Sequence, residues 1–203
     1  MDSKLTSILQ TSTLLFRKFG VRSISMDEIA SQLGMSKKTL YQYVENKSDL
    51  VAKVLDFYLE GSNACMDEIN GNLNAIDLLM QVSRSVSREI SASNPVMLFD
   101  LQKYYPALHH NFVQKKKEHV YMKILDNMLK GISEGIYRPE IDTELIAKLY
   151  VEKLFALHDP EFLEAMDFTS EKIFKVMFEN HIRGIANARG LAYFENMLNH
   201  PTS

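Results

Sequence analysis

The chain has 203 residues, 46% hydrophobic and 24% charged, with a formal net charge of −3 at pH 7. This is ordinary globular composition, enough for one large domain or for a small domain followed by a larger one. The single Cys65 excludes an internal disulfide framework and a multi-cysteine zinc site, and no apolar run approaches the ~18 residues that a membrane span needs.

The first residues, Met1-Asp2-Ser3-Lys4, carry no apolar signal segment, so a cytoplasmic protein without a membrane partner is expected. Charge is unevenly spread. Residues 1–50 hold seven Lys/Arg and five Asp/Glu, a balance of +2, while the rest of the chain balances at −5. A mildly basic head on an acidic body suits a protein that meets phosphate with one end.

Apolar residues recur with helical period throughout, and no period-two run of β-branched residues is present. The expected class is all-α, with about nine helices. Leu5, Ile8, Leu9, Phe16 and Phe19 predict a first helix that stops at Gly20. Ser25 and Glu28 form a capping box for a short second helix with Met26, Ile29, Ala30 and Leu33 inward. Gly34 supplies a turn, and Ser36 caps a third helix over Lys37–Val44. Asn46 caps a longer fourth, with Leu50, Val51, Val54, Leu55, Tyr58 and Leu59 inward and a frayed end near Gly61. A polar loop with Asn70, Gly71, Asn72 and Asn74 follows.

Ile76, Leu79, Val82, Val86 and Ile90 mark a fifth helix, and Asn94-Pro95 begins a sixth that Tyr105-Pro106 breaks. The seventh runs to about Gly135. Asp142 opens an eighth that ends near His158-Asp159-Pro160. Thr169-Ser170 caps a ninth lasting to about Arg189-Gly190, and residues 191–199 suit a short tail helix.

Residues 25–50 carry the functional signal. Two short helices around a Gly34 turn form a helix-turn-helix, whose second helix enters the DNA major groove. On its outer face Lys37 and Lys38 suit base edges or phosphate, Tyr41 suits thymine methyls, and Gln42 suits an adenine edge. Ser36, Thr39 and Tyr43 offer hydroxyls to phosphate oxygens. Lys47 adds an ammonium at a helix N-terminus. Ser25 and Met26, at the start of the second helix, complete the expected DNA-contacting set.

The same residues resemble the tetracycline-repressor (TetR) family pattern I-L-x-x-A-x-x-L-F-x-x-x-G, T-x-x-x-I-A, G-x-S-x-x-T-L-Y-x-Y-F-x-x-K-x-x-L. Ile8-Leu9, Leu15-Phe16, Gly20, Ile29-Ala30, Gly34, Ser36, Thr39-Leu40-Tyr41, Tyr43, Lys47 and Leu50 fall in register. Ser12, Ser25 and Val44 depart from the usual alanine, threonine and phenylalanine. The resemblance covers residues 5–55. It implies a DNA-binding domain (1–46) followed by a ligand-binding and dimerisation domain (47–203), in which the last two long helices form a four-helix interface between two copies.

Ile146, Tyr150 and Leu154 on the eighth helix, with Phe174, Phe178, Ile182 and Ile185 on the ninth, are the expected dimer residues, because these helices are too apolar for one buried face each. A two-fold dimer calls for a pseudo-palindromic, double-stranded operator. The expected function is transcriptional repression, relieved when a small effector binds the body. The alternative is a helical carrier or enzyme with a vestigial head, and an activator or a corepressor-dependent repressor fits the same pattern.

Met66, Met80, Phe99, Tyr104, Tyr105, His109, Phe112, Met122, Phe155, Met177 and His181 are the candidate effector-binding residues, and they point to an apolar or aromatic molecule. No cofactor and no metal are expected, since no two histidines lie at ligand spacing on one helix face. Gly131-Ile-Ser133-Glu-Gly135 spells a hydrolase elbow without the strand that the elbow needs, so helix-ending glycines are the better reading. Lys115-Lys116-Lys117 reads as a solvated helix face rather than a second nucleic-acid patch.

Overall fold

A computed structural model describes residues 2–68, 73–91, 95–157 and 159–199, and among these residues there are eleven α-helices and no strand. In order they are α1 (Ser3–Phe19), α2 (Met26–Gln32), α3 (Lys37–Leu40), α4 (Lys47–Glu68), α5 (Ala75–Ser91), α6 (Pro95–Tyr104), α7 (Pro106–Ser133), α8 (Thr143–Ala156), α9 (Pro160–Met166), α10 (Ser170–Ile185) and α11 (Ala188–Asn199). The chain divides into two compact units: Met1–Cys65 with Ser93–Lys116, and Met66–Ala92 with Lys117–Ser203.

The first unit packs α1–α4 and α6 around one core. Asp2 caps α1 by accepting from the Lys4 amide at 2.8 Å, and Arg17 and Lys18 place positive charge at its C-terminal end, where the helix dipole favours it. Gly20, at φ +84°, closes the helix by donating to the Phe16 carbonyl at 2.9 Å. The expected capping box is present: the Glu28 amide donates to Ser25 Oγ, and the Ser25 amide donates to Glu28 Oε2 at 2.6 Å. Those bonds hold the Glu28 carboxyl below its usual range. Ile8, Leu9, Phe16, Val21, Ile29, Leu40 and Leu50 are fully enclosed, and Val51, Val54, Leu55 and Leu101 share their cluster, so the packing of the head extends past residue 46.

The second unit is built from α5, the end of α7 and α8–α11. Asn74 caps α5 by accepting from the Ile76 and Asp77 amides, both at 3.0 Å. Asn127, buried in α7, donates to the Ala75 carbonyl at 2.8 Å and accepts from the Tyr137 hydroxyl at 3.3 Å. Gly131 lies flat under the Tyr137 ring, where a Cβ would come within 2.1 Å of it. The elbow-like glycines therefore end and pack a helix, and Ser133 Oγ donates to the Lys130 carbonyl at 2.7 Å.

Four boundaries differ from expectation. Helix α3 is assigned only to Leu40, because the Gln42 and Tyr43 amides bond three residues back and tighten the last turn. Helix α4 continues through Gly61 to Glu68. A short α9 follows α8, and with the expected tail helix present as α11 the described residues form eleven helices against the expected nine or so. Gly190 lies inside α11 rather than before it. Asn187 caps that helix by accepting from the Gly190 amide at 3.0 Å, and a Cβ on Gly190 would sit 2.1 Å from the Ile136 carbonyl oxygen. Close approach, not helix termination, requires that glycine. Asn70, Gly71, Asn72, Asn94 and His158 lie outside the described residues.

Ser12, where the related pattern has alanine, is fully buried and its Oγ has no hydrogen-bond partner. Burying a hydroxyl unpaired is unfavourable. Ser12→Ala is expected to raise stability by about 1 kcal/mol, read as a higher urea midpoint with an unchanged slope.

Candidate nucleic-acid interface

The helix-turn-helix is fixed from its inner side. Ala30 is 3% exposed, where α2 and α3 approach, and its carbonyl accepts from the Met35 amide at 3.0 Å across the turn. Gly34 takes φ +63° there, a left-handed conformation that an L side chain rarely adopts. Leu40 and Val44 anchor α3 to the core at 0% and 2% exposure. With those two inward, Lys38, Tyr41 and Gln42 project outward, and Tyr41 is 42% exposed.

The expected DNA-contacting residues sort into several roles. Lys38, Tyr41 and Gln42 form the free outer face. Lys37 is exposed but its Nζ meets Asp27 at 2.8 Å, and that hydrogen bond and charge raise its pKa. Ser36 caps α3, accepting from the Thr39 amide at 3.1 Å, and its hydroxyl lies 2.8 Å from Thr39 Oγ1. Tyr43 is half-buried against the core, and its carbonyl accepts from Lys53 Nζ at 2.9 Å. Ser25 is exposed, with its hydroxyl committed to the α2 cap. Met26 is corrected: at 6% exposure it belongs to the head's core, because the first turn of α2 rotates it inward.

Lys47 opens α4, whose Asn46 side chain accepts from the Asp49 amide at 3.0 Å. Its Nζ donates to the Arg22 carbonyl at 3.3 Å. Partial burial lowers its pKa, opposed by the charges of Asp100 and Glu28.

In the second unit, the residues expected at a dimer interface are mostly core. Tyr150, Leu154, Phe174, Phe178, Ile182 and Ile185 are each 8% exposed or less, because α8 and α10 turn their aromatic and larger aliphatic side chains toward their own unit. Ile146 is half-buried. The outward apolar residues are others. Leu145 and Leu149 on α8 are each 52% exposed, Val176 on α10 is 53%, and Met166 and Phe168 beside α9 are 42% and 57%. Leu149, Val176, Met166 and Phe168, with Ile146, Ile173, Met177 and His181, edge an open, mainly apolar cleft of about 810 Å³ between α8, α9 and α10, and Leu145 lies outside its lining. The signal was legible at four-residue spacing: Leu145 and Leu149 make a second apolar stripe beside that of Tyr150 and Leu154.

The candidate effector residues divide between the two units. Phe99, Tyr104, Tyr105, His109 and Phe112 belong to the first unit, and Met80, Met122, Phe155, Met177 and His181 to the second. Phe99 is 54% exposed, Met122 is 48% exposed, and Tyr104 is engaged by Arg22, whose guanidinium lies 4.7 Å above its ring. Tyr105 packs on the head's core, and Phe112 lies 6.1 Å from the Tyr58 ring. Phe155 packs with Leu154 and Phe174, and Met80 with the cluster around Ile76 and Ile182. Met177 and His181 line the cleft. The Met66 side chain lies outside the described residues. The lysine run disperses: Lys115 pairs with Asp56 at 2.7 Å and Lys117 with Glu152 at 2.6 Å.

A head of this geometry defines a helix-turn-helix DNA-binding regulator. Residues 8–54 match the model of the bacterial regulatory proteins of the tetR family. Over 165 residues, 80% of this chain and 86% of the relative, the sequence is 26% identical to an uncharacterised HTH-type transcriptional regulator, YvaF, of Bacillus subtilis strain 168. The fold is similar to a transcriptional regulator from Cytophaga hutchinsonii, with TM-score 0.72 at 20% identity, covering 92% of this chain and 100% of that one. It is also similar to a TetR-family regulator from Agrobacterium tumefaciens, with TM-score 0.67 at 18% identity, covering 91% and 98%. The chain is thus similar to transcriptional regulators of the TetR family, in sequence through its head and in fold over most of its length. Among the described residues no helix is long and apolar enough to cross a membrane.

His181 offers a measurable signature of the second unit. Its ring stacks on Tyr150 at 4.0 Å and its Nε2 is enclosed without a hydrogen-bond partner. Burial, aided by the Lys153 charge, lowers its pKa from 6.5 to about 4. Between those values the unfolded chain takes up a proton that the folded one refuses, so stability is full above the unfolded pKa and falls as pH drops toward 4. Lowering pH from 7 to 5 is expected to cost about 2 kcal/mol through this group. His181→Phe should flatten that part of the urea-midpoint-against-pH curve.

Proposed function

We propose that the protein is a homodimeric repressor that binds a pseudo-palindromic DNA operator through α3 and releases it when a small, largely apolar molecule binds. The observation that carries the reading is the two-sidedness of α3: Leu40 is completely enclosed, while Lys38, Tyr41 and Gln42 stand free on the opposite side. Lysine and glutamine supply phosphate and base-edge bonds, and tyrosine supplies a flat apolar surface for thymine methyls.

Two copies are needed to match two half-sites about 34–36 Å apart. The outward apolar residues of α8–α10 are the proposed contact between copies. Five large hydrophobic side chains exposed together on neighbouring helices are more than a monomer's surface ordinarily leaves in one place. Effector action follows as a population shift: a molecule that prefers the state whose reading helices misalign lowers DNA affinity.

Electrophoretic shift on the DNA upstream of the protein's own gene tests the main reading, and absence of any sequence preference at low salt would sink it. Lys47→Ala should weaken binding to all duplexes and reduce the salt slope by about one unit, whereas Gln42→Ala should change base preference with the slope intact.

Leu149→Glu, at a position 52% exposed in the single chain, should convert the species seen by sedimentation from dimer to monomer without loss of helicity. An unchanged sedimentation coefficient would remove α8 from the interface.

A further inference from the structure

One cluster of charged groups in the first unit is not absorbed by the DNA-contacting face. Asp100, on α6, is 6% exposed, unusual for a carboxylate that has no cation at bonding distance among the described residues. Its Oδ2 accepts from the Arg22 amide at 2.8 Å. It also rests on Gly20, where a Cβ would lie 2.8 Å from Oδ2 and 2.9 Å from Val96 Cγ1. Tyr104, one turn further along α6, accepts a hydrogen bond from Arg22 Nη1 and carries the guanidinium over its ring. Val96, Asp100 and Tyr104 are spaced by four, so one stripe of α6 holds the whole α1–α2 loop.

Arg22 is the residue through which that stripe acts. Its amide is held by Asp100, its side chain by Tyr104, and its carbonyl accepts from Lys47 Nζ at 3.3 Å. Three residues further on, Ser25 starts the capping box of α2. The loop thus leads directly into the first turn of the helix-turn-helix. We infer that Asp100 is a positioning residue for DNA recognition: through the Arg22 backbone it fixes the start of α2, and with it the angle at which the outer face of α3 is presented to base edges.

This inference rests on the DNA-reading function proposed above, and the two can fail separately. The full-length protein is used to select a tight-binding duplex from a random-sequence pool. Affinities for that duplex and for poly(dI–dC) are then measured for wild type, Asp100→Ala and Asp100→Asn. Asp100→Ala removes the acceptor that holds the part-buried Arg22 amide and is expected to weaken binding to the selected duplex about tenfold. Its affinity for poly(dI–dC) should stay level or rise, since a negative charge has been removed. Asp100→Asn keeps an acceptor oxygen and should recover most of the lost affinity.

Parallel loss on both DNAs, or equal selected-duplex affinity for all three proteins, overturns the positioning role while leaving the reading head intact. Failure of the wild type to select any duplex overturns both. If circular dichroism shows Asp100→Ala unfolded, Tyr104→Leu tests the same stripe from a surface position, 37% exposed. It should lower selected-duplex affinity about threefold by loosening Arg22, and no change there overturns the inference.

Discussion

The enclosure of Leu40 governs the functional end of the molecule. In a helix of four residues there is little backbone to set orientation, and successive side chains are spread around the axis by about 100°. Burying Leu40 at 0% exposure, with Ile29 and Ala30 against it and Val44 just beyond, leaves the rotation of α3 no freedom. Lys38, Tyr41 and Gln42 then face outward by geometry rather than by their own polarity. Core packing places the chemical groups, and their hydrogen-bonding capacity only becomes useful once it has.

Much of this was readable from the order of residues, because the head depends on local signals. Ser25 with Glu28, Gly34, Ser36 and Asn46 each cap or turn within three or four positions of themselves, and all act as expected. The body was less transparent. Periodicity revealed that α8 and α10 are apolar all round, but not which stripe faces their own unit. Tyr150, Leu154 and Phe178 turned inward, and Leu145, Leu149 and Val176 outward, according to packing partners far away in sequence. The same holds for Met26, whose burial depends on the first turn's rotation, and for Gly190, whose need for a missing Cβ comes from Ile136. Asp100 left no local signal at all: its partner lies 78 residues away.

The polar contacts near the head differ in weight. Lys37 and Asp27 lie 2.8 Å apart, but both are more than half exposed, and such pairs contribute little. Under the proposed function, that weakness lets Lys37 exchange its partner for phosphate. The bond between the Arg22 amide and Asp100 is part-buried on the side of its enclosed carboxylate, so loss of the acceptor costs more than loss of a surface ion pair. One contact can therefore open on binding, while the other has to persist through it.

Under the proposed function, a reading helix of one turn calls for a second copy. Lys38, Tyr41 and Gln42 can address only a few base pairs, and each well-made base contact discriminates by about 1–3 kcal/mol. Specific regulators exceed non-specific binding by roughly 4–10 kcal/mol, and three side chains at about 1–3 kcal/mol each leave the upper part of that range unmet. Two linked heads approach that range, since engagement of one raises the effective concentration of the other. The gain is lost if the pair is not rigidly spaced, which is a requirement on the contact between copies and not on the DNA face. Exposed Leu145, Leu149 and Val176 are well suited to meet it: apolar side chains on paired helices interdigitate to fixed crossing angles, where surface ion pairs would slide.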